Sequence, residues 1–228
     1  ALTVLDELTE NGDESRLDEK FFVPAACCGI EGSSVYLKEN DETSARELLY
    51  GLMLRSGNDC AAALAWRVSG GVKKFAEKMN ETAKRAGALN THFKNPHGLP
   101  EKGHYTTARD LSMLTALALG NETFAKIVST RMYEPKHWAN KNKMLAEYEG
   151  AIGVKTGYTK QAGRCLVSAA KRNEMTLICT VLNCPDTYGE SKKLLNDAFS
   201  AYEFLLLQAA ESPVSLDTKG GKVFAKTE

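Results

Sequence analysis

Two short segments of this sequence carry side chains that suit acyl transfer to a serine. Ser56-Gly57-Asn58 lies between two predicted helices, and Lys155-Thr156-Gly157 lies at the end of a predicted strand. Such a reaction needs a base for the nucleophile, a proton donor for the leaving amine and hydrogen-bond donors for the oxyanion. Each segment alone is also typical of an ordinary turn or strand exit. Only the two segments together, in this order, indicate acyl transfer.

The first segment supplies groups for proton transfer. A serine between two lysines can pass a proton to a leaving group, and Ser56 suits that role with Lys155 across the cleft. The amide of Asn58 suits holding either a peptide carbonyl or the lysine that activates the nucleophile. We therefore predict that Ser56, Asn58 and Lys155 are catalytic.

The second segment suits substrate binding. Lys155 and Thr156 offer a cation and a hydroxyl to a terminal carboxylate. Gly157 has no side chain to block a substrate that lies antiparallel to the strand edge, and the N–H of Tyr158 can supply one oxyanion donor. We predict that Lys155, Thr156, Gly157 and Tyr158 contact substrate.

The pair of motifs matches the later part of a known active-site set. In serine β-lactamases and penicillin-binding proteins, Ser-x-x-Lys comes first, Ser-x-Asn second and Lys-Thr-Gly third. The surrounding sequence resembles the low-molecular-mass D-Ala-D-Ala carboxypeptidases, the S11 serine peptidases, over about residues 1–208. Four segments carry this resemblance: 47–59, 95–99, 103–108 and 153–159. Segments 162–167 and 182–186 are most similar to the Firmicute, sporulation-associated branch.

The resemblance implies a fold, an activity and a location. It implies an α+β fold of the β-lactamase and transpeptidase type, with a five-stranded antiparallel sheet flanked by helices. The activity would be removal of the terminal D-Ala from peptidoglycan pentapeptides outside the cytoplasm, through an acyl-enzyme, with β-lactams as acylating inhibitors. The expected partners are therefore stem peptides and β-lactams, with membrane association possible through a further C-terminal region.

The nucleophile of that family has no counterpart at the expected place. The one Ser-x-x-Lys in the sequence is Ser168-Ala169-Ala170-Lys171, in a predicted strand, where residues three apart point to opposite faces. We interpret it as unrelated to catalysis. The apolar spacing of Leu2, Leu5 and Leu8 indicates a helix already under way at Ala1, so we expect the family's Ser-x-x-Lys to lie ahead of it. The chain as given is then inactive, and its first turn, buried through Leu2 and Leu5, lies close to the cleft.

Helix and strand signals predict how these motifs are positioned. Ser44 with Glu47, and Thr107 with Asp110, form capping boxes, while Asp59 is placed to cap a second helix. A further helix is predicted over about 72–86 and another over about 190–208. Strands are predicted over 151–155, 164–171 and 175–182. We assign 1–208 to the catalytic domain and 209–228 to the start of a further β domain.

Composition excludes several other classes. Lys plus Arg and Asp plus Glu both number 29, which gives no reason to expect a nucleic-acid partner. No apolar run approaches the roughly 20 residues that span a bilayer. The six cysteines lack Cys-x-x-Cys spacing and are interpreted as small, mostly buried residues. His97 and His104 are expected to hold their loop by hydrogen bonds, and the site needs neither metal nor cofactor.

Two alternatives remain open at this point. A β-lactamase would need a glutamate that activates the deacylating water, and no Glu-x-x-Leu-Asn-like segment lies between Ser56 and Lys155. A non-catalytic peptidoglycan-binding or scaffold homologue would lack the nucleophile by nature.

Overall fold

The computed structural model describes residues 1–204 and the two strands at 214–218 and 221–225. Its helices are α1 (Leu2–Leu8), α2 (Ser15–Asp18), α3 (Ala45–Tyr50), α4 (Asn58–Ser69), α5 (Val72–Arg85), α6 (Ala108–Leu119), α7 (Glu122–Ser129), α8 (Met144–Glu147) and α9 (Thr187–Ala201). Its strands are β1 (Lys20–Phe22), β2 (Glu42–Ser44), β3 (Met132–Tyr133), β4 (Trp138–Ala139), β5 (Ala151–Thr159), β6 (Gly163–Arg172), β7 (Met175–Val181), β8 (Val214–Thr218) and β9 (Gly221–Ala225). None of the described helices is long and apolar enough to cross a membrane.

The main sheet is antiparallel and has the order β5-β6-β7. The α+β class is confirmed, but the expected five strands are wrong for the described residues, which place three in this sheet. The reason is that the other strands form separate two-stranded pairs, β1 with β2, β3 with β4 and β8 with β9. The three long strands are those that the sequence pattern predicted.

Each face of the sheet covers its own apolar core. The larger core joins α1, α3, α4 and α7 to one face and includes Leu5, Leu48 and Ala169, all fully buried. The smaller one joins α9 to the other face and includes Leu195 and Ala170. Ala169 and Ala170 are consecutive in β6, so the alternation of a strand sends one side chain into each core.

Helix starts confirm two of the three predicted caps. The Ser44 hydroxyl accepts from Glu47 N, and the Thr107 hydroxyl accepts from Asp110 N at 3.1 Å. The cap predicted for α4 is wrong, because Gly57 is its N-cap and no side chain caps it. The Asp59 carboxylate is instead used by a distant loop. The helix predicted over 72–86 is confirmed as α5.

The C-terminal predictions are only partly within the described residues. The predicted helix over 190–208 is α9, which begins earlier, at Thr187, and ends at Ala201. Residues 205–208 lie outside the described part. β8 and β9 pair with each other, whereas the assignment of 209–228 to a further domain stays a prediction.

The cysteines all lie within residues 1–204, and none is joined in a disulfide. Cys27, Cys60 and Cys179 are buried, and the other three are partly buried. The interpretation of most of them as small packing residues fits these positions.

Candidate active site

Ser56 lies at a strained end of a helix. α3 continues into a π-helical segment, Gly51–Arg55, and Ser56 then adopts a left-handed backbone with φ 62° and ψ 35°. A Cβ on Gly51 would lie 2.6 Å from Cys60 Sγ and 3.1 Å from the Trp138 ring, so only glycine fits there. Non-glycine residues in this conformation cost roughly 1 kcal/mol or more, and they cluster at functional sites.

Lys155 reaches Ser56 from the sheet. Its Nζ donates to Ser56 Oγ at 2.9 Å and to its neighbour's carbonyl, Thr156 O, at 2.7 Å. Burial, together with the smaller effect of the nearby Lys141 charge, lowers the Lys155 pKa to about 8. The two motifs, 99 residues apart, thus share one hydrogen bond. The Lys-Thr-Gly motif lies within β5 rather than at its end, because pairing with β6 continues to Thr159.

Asn58 is held against a loop. Its backbone N–H donates to Ser33 O at 2.8 Å, and its side-chain Nδ2 donates to Glu31 O at 2.5 Å. Gly32 allows this close approach, because its φ is +93° and an added Cβ would lie 2.8 Å from Asn58 Nδ2. In this structure the amide therefore supports the loop, and its contact with a substrate or a lysine stays a prediction.

Asp59 holds the same loop, residues 31–37, through its carboxylate. This carboxylate is fully buried and accepts from Ser34 Oγ at 2.5 Å, from Val35 N at 3.1 Å and from Leu37 N at 3.0 Å. A buried carboxylate is stable only when it is well hydrogen-bonded. Asp59 therefore fixes the loop that borders Asn58.

A cleft of about 310 Å³ brings the predicted residues together. Its lining includes every residue predicted for the site: Ser56, Asn58, Lys155, Thr156, Gly157 and Tyr158. The segment His97–Leu99 also lines this cleft. His97 Nδ1 accepts from Leu99 N and His104 Nδ1 accepts from Lys94 N, which confirms that these histidines hold their loop.

β5 presents an open edge to this cleft. β6 pairs along one side of β5, and no strand among the described residues pairs along the other. An added Cβ at Gly157 would touch just one described atom, Cys165 Cβ, at 3.8 Å. Packing does not require glycine there, and its contact with a substrate stays a prediction.

The sequence did not reveal the part played by Lys141. Its Nζ donates to Ser33 Oγ at 3.2 Å, and its charge acts on Lys155. Burial and the charge of Arg55 lower the pKa of Lys141 itself. Lys141 belongs to no motif, and tertiary contacts bring it here: its backbone N–H donates to Leu54 O at 3.1 Å and its carbonyl accepts from Tyr188 Oη at 3.4 Å.

Ser168 and Lys171 diverge as expected. Ser168 is fully buried and its hydroxyl donates to Cys179 O, whereas Lys171 is exposed and pairs with Glu174 at 3.0 Å. The serine therefore has no access to substrate and no lysine beside it.

The first helical turn lies near the second motif. Ala1 and Leu2 line an apolar cavity of about 320 Å³ together with Lys155 and Thr156. Leu5 is fully buried, while Leu2 is only partly buried. The turn therefore lies beside Lys155 and Thr156 as expected, but it lines this neighbouring cavity and not the cleft itself, and the expected burial of Leu2 is only partial.

Comparison with known proteins agrees with this geometry. A family model for the S11 peptidases, D-alanyl-D-alanine carboxypeptidase, matches residues 23–186. D-alanyl-D-alanine carboxypeptidase DacF of Bacillus subtilis is 35% identical over 198 residues, which cover 82% of this chain and 51% of that protein. A D-alanyl-D-alanine carboxypeptidase of Streptomyces sp. strain K15 is 39% identical over 189 residues, covering 74% of this chain and 65% of that protein.

A solved structure shares the fold. The crystal structure of the Streptomyces K15 DD-transpeptidase superposes with a TM-score of 0.77 at 34% identity, covering 87% of this chain and 85% of that one. The chain spans about half to two thirds of the length of the two curated relatives. The similarity to the Bacillus protein agrees with the expected Firmicute branch. The chain belongs to the S11 family of D-alanyl-D-alanine carboxypeptidases.

Proposed function

We propose that the whole protein is a serine-type D-Ala-D-Ala carboxypeptidase, which removes the terminal D-Ala from peptidoglycan pentapeptides and is acylated by β-lactams. The observation that carries the proposal is the 2.9 Å contact between Lys155 Nζ and Ser56 Oγ, in a cleft along the open edge of β5. This arrangement supports the proposal, because a lysine side chain, a serine hydroxyl and an open strand edge line one cleft.

The reaction has two covalent steps. A serine oxygen bonds to the carbonyl carbon of the penultimate D-Ala, the peptide C–N bond breaks, and the leaving amine takes a proton through Ser56. Water then hydrolyses the ester and frees the shortened peptide. Lys155 and Thr156 bind the terminal carboxylate, Asn58 holds the peptide, and the N–H of Tyr158 faces the oxyanion.

The nucleophile of this proposal comes from outside residues 1–228. Ser168 is the only serine here in a Ser-x-x-Lys, and it is buried away from its lysine. We propose that residues 1–228 alone form no acyl-enzyme. A penicilloyl mass adduct on this chain would contradict that.

We also propose where the protein acts and how the chain divides into domains. The protein acts outside the cytoplasm on stem peptides. Residues 1–208 form the catalytic domain and 209–228 begin a further β domain. The pairing of β8 and β9 with each other, and not with β5 to β7, supports that division.

The test uses the complete protein and labelled penicillin. Lys155→Ala should raise the activation barrier by about 2–4 kcal/mol. The second-order acylation rate and the rate of D-Ala release should therefore fall roughly 30- to 1,000-fold. Lys171→Ala is the matched control, since Lys171 is exposed and distant from the cleft motif in β5. An unchanged acylation rate in Lys155→Ala would contradict the proposed role of Lys155.

A further inference from the structure

A second groove is lined by residues that adjoin two lining residues of the cleft along the chain. This groove, of about 520 Å³, lies between the loop Pro100–Tyr105 and Gln161 in the turn after β5. The cleft lining includes Leu99 and Ala162. Each side of the groove thus begins at the residue next to a lining residue of the cleft.

The direction of β5 shows which part of a substrate would enter the groove. A substrate antiparallel to β5, with its carboxylate at Lys155 and Thr156, runs toward Thr159 as one moves from its carboxyl end to its amino end. Both chains advance by about 3.3 Å per residue. Counted from Thr156, the third residue from the substrate's carboxyl end is therefore level with Tyr158 to Thr159, in the part of the cleft lining that adjoins the groove along the chain.

Glu101 is fixed at this point by a buried amide. Asn95 is only 4% exposed, and its Nδ2 donates to Glu101 Oε2 at 3.2 Å and to Leu99 O at 3.0 Å. Asn95 Oδ1 accepts from Gly98 N at 2.8 Å, so the amide orders the whole turn. The Glu101 carboxylate is thus held in place before any ligand arrives.

The Glu101 carboxylate has no ion-pair partner among the described residues. Lys102 and His104 also line the groove, and neither forms a salt bridge with Glu101. The ring of Tyr105 is 56% exposed and offers an apolar surface in the same groove. A ligand with a methylene chain that ends in an ammonium group would match both features.

We propose that this groove binds the side chain of the third residue of the stem peptide, a diamino acid, with its ammonium paired to Glu101 and its methylenes on Tyr105. The proposal rests on the proposed function and extends it to a specificity site. The cleft recognises the two D-Ala residues, and the groove selects peptides whose third residue carries a primary amine.

The test compares two synthetic pentapeptides in the complete protein. One has lysine at position three with its side-chain amine unmodified, and in the other that amine is acetylated, which removes the charge. The wild-type kcat/KM for D-Ala release should favour the amine by about three- to fivefold, as expected for one partly exposed ion pair. Glu101→Gln keeps an acceptor oxygen for Asn95 and should abolish the preference. Raising the salt from about 0.05 to about 0.5 M should also reduce it.

A matched control and a second measurement complete the design. Glu77→Gln makes the same change on the exposed face of α5, away from cleft and groove, and should keep the preference. A wild type without preference, or a Glu101→Gln variant that retains it, would overturn the proposal. No D-Ala release from either peptide contradicts the proposed function instead. Calorimetric titration of the same peptides, which needs no turnover, then decides the groove: equal affinities refute it and tighter binding of the amine supports it.

Discussion

The Ser56 hydroxyl is placed to act in the transition state rather than in binding. It accepts from Lys155 Nζ at 2.9 Å and lines the cleft. In the complete protein, Ser56→Ala should lower kcat about a hundredfold, within the range for loss of general acid–base catalysis, while KM changes little. Steady-state D-Ala release measures both. A raised KM with an intact kcat would mean that Ser56 only contacts substrate.

The backbone of Ser56 allows a companion variant. Its φ of 62° disfavours alanine but not glycine. Ser56→Gly should therefore lose the same activity as Ser56→Ala yet be about 1 kcal/mol more stable than it, by urea denaturation. Equal stabilities would show that the left-handed conformation relaxes once the hydroxyl is removed.

The pKa of Lys155 should set the pH above which activity falls. Burial, followed by the charge of Lys141, lowers its pKa to about 8. Below that pH the side chain is a cation that can bind a carboxylate, and the charge is lost as pH rises through about 8. The kcat/KM of the complete protein should therefore fall above pH 8. Lys141→Gln removes a like charge, raises the Lys155 pKa and should move this limb to higher pH. A limb that stays in place would exclude Lys141 as a cause.

The residues of the site differ in how far the sequence revealed them. Ser56, Asn58 and Lys155 belong to motifs whose order is informative, and the structure places them in one cleft. Lys141 and Ser33 have no such pattern. They reach the site through loops fixed by tertiary hydrogen bonds, which local spacing does not encode.

At the scale of elements, the loop of residues 31–37 depends on one side chain of α4. The Asp59 carboxylate accepts from Ser34, Val35 and Leu37, and the loop in turn accepts both donors of Asn58. Asp59→Ala should cost about 3 kcal/mol of unfolding free energy, because it leaves buried donors unpaired. It should also speed hydrogen exchange at the Val35 and Leu37 amides. Ser34→Ala removes one bond and should cost about 1 kcal/mol. Unchanged exchange in Asp59→Ala would show that the loop is held by other contacts.

Element boundaries explain the two local predictions that failed. Asp59 has the residue type and position of a helix cap, and Cys60 N in α4 does donate to it at 2.9 Å, yet its other donors lie 22 to 25 residues away in the loop. The motif at Lys155 was predicted to end a strand, but pairing with β6 extends β5 to Thr159. Periodicity finds an element, whereas its partners decide where it ends and which polar groups it uses.

At the scale of the molecule, the sheet separates two apolar cores that support different parts of the structure. The larger core lies under Ser56 and the cleft, and the smaller core attaches α9 to β6 and β7. The expectation of five strands failed at this scale, because it came from resemblance and not from the three strand patterns in the sequence. The number of strands in a sheet depends on which segments meet, and the described short strands pair elsewhere.

The smaller core provides a test of this division with a control from the same helix. Leu195 is 1% exposed and packs between α9 and the sheet, whereas the adjacent Leu194 is 47% exposed. Leu195→Ala removes buried methylenes and leaves a cavity, so it should lower the free energy of unfolding by about 3 kcal/mol. Leu194→Ala has the same effect on helix propensity but opens no cavity, and should change stability by less than about 0.5 kcal/mol. Urea denaturation of both variants measures the difference. Equal losses would mean that α9 contributes through its helix alone and that the sheet has only one core that matters for stability.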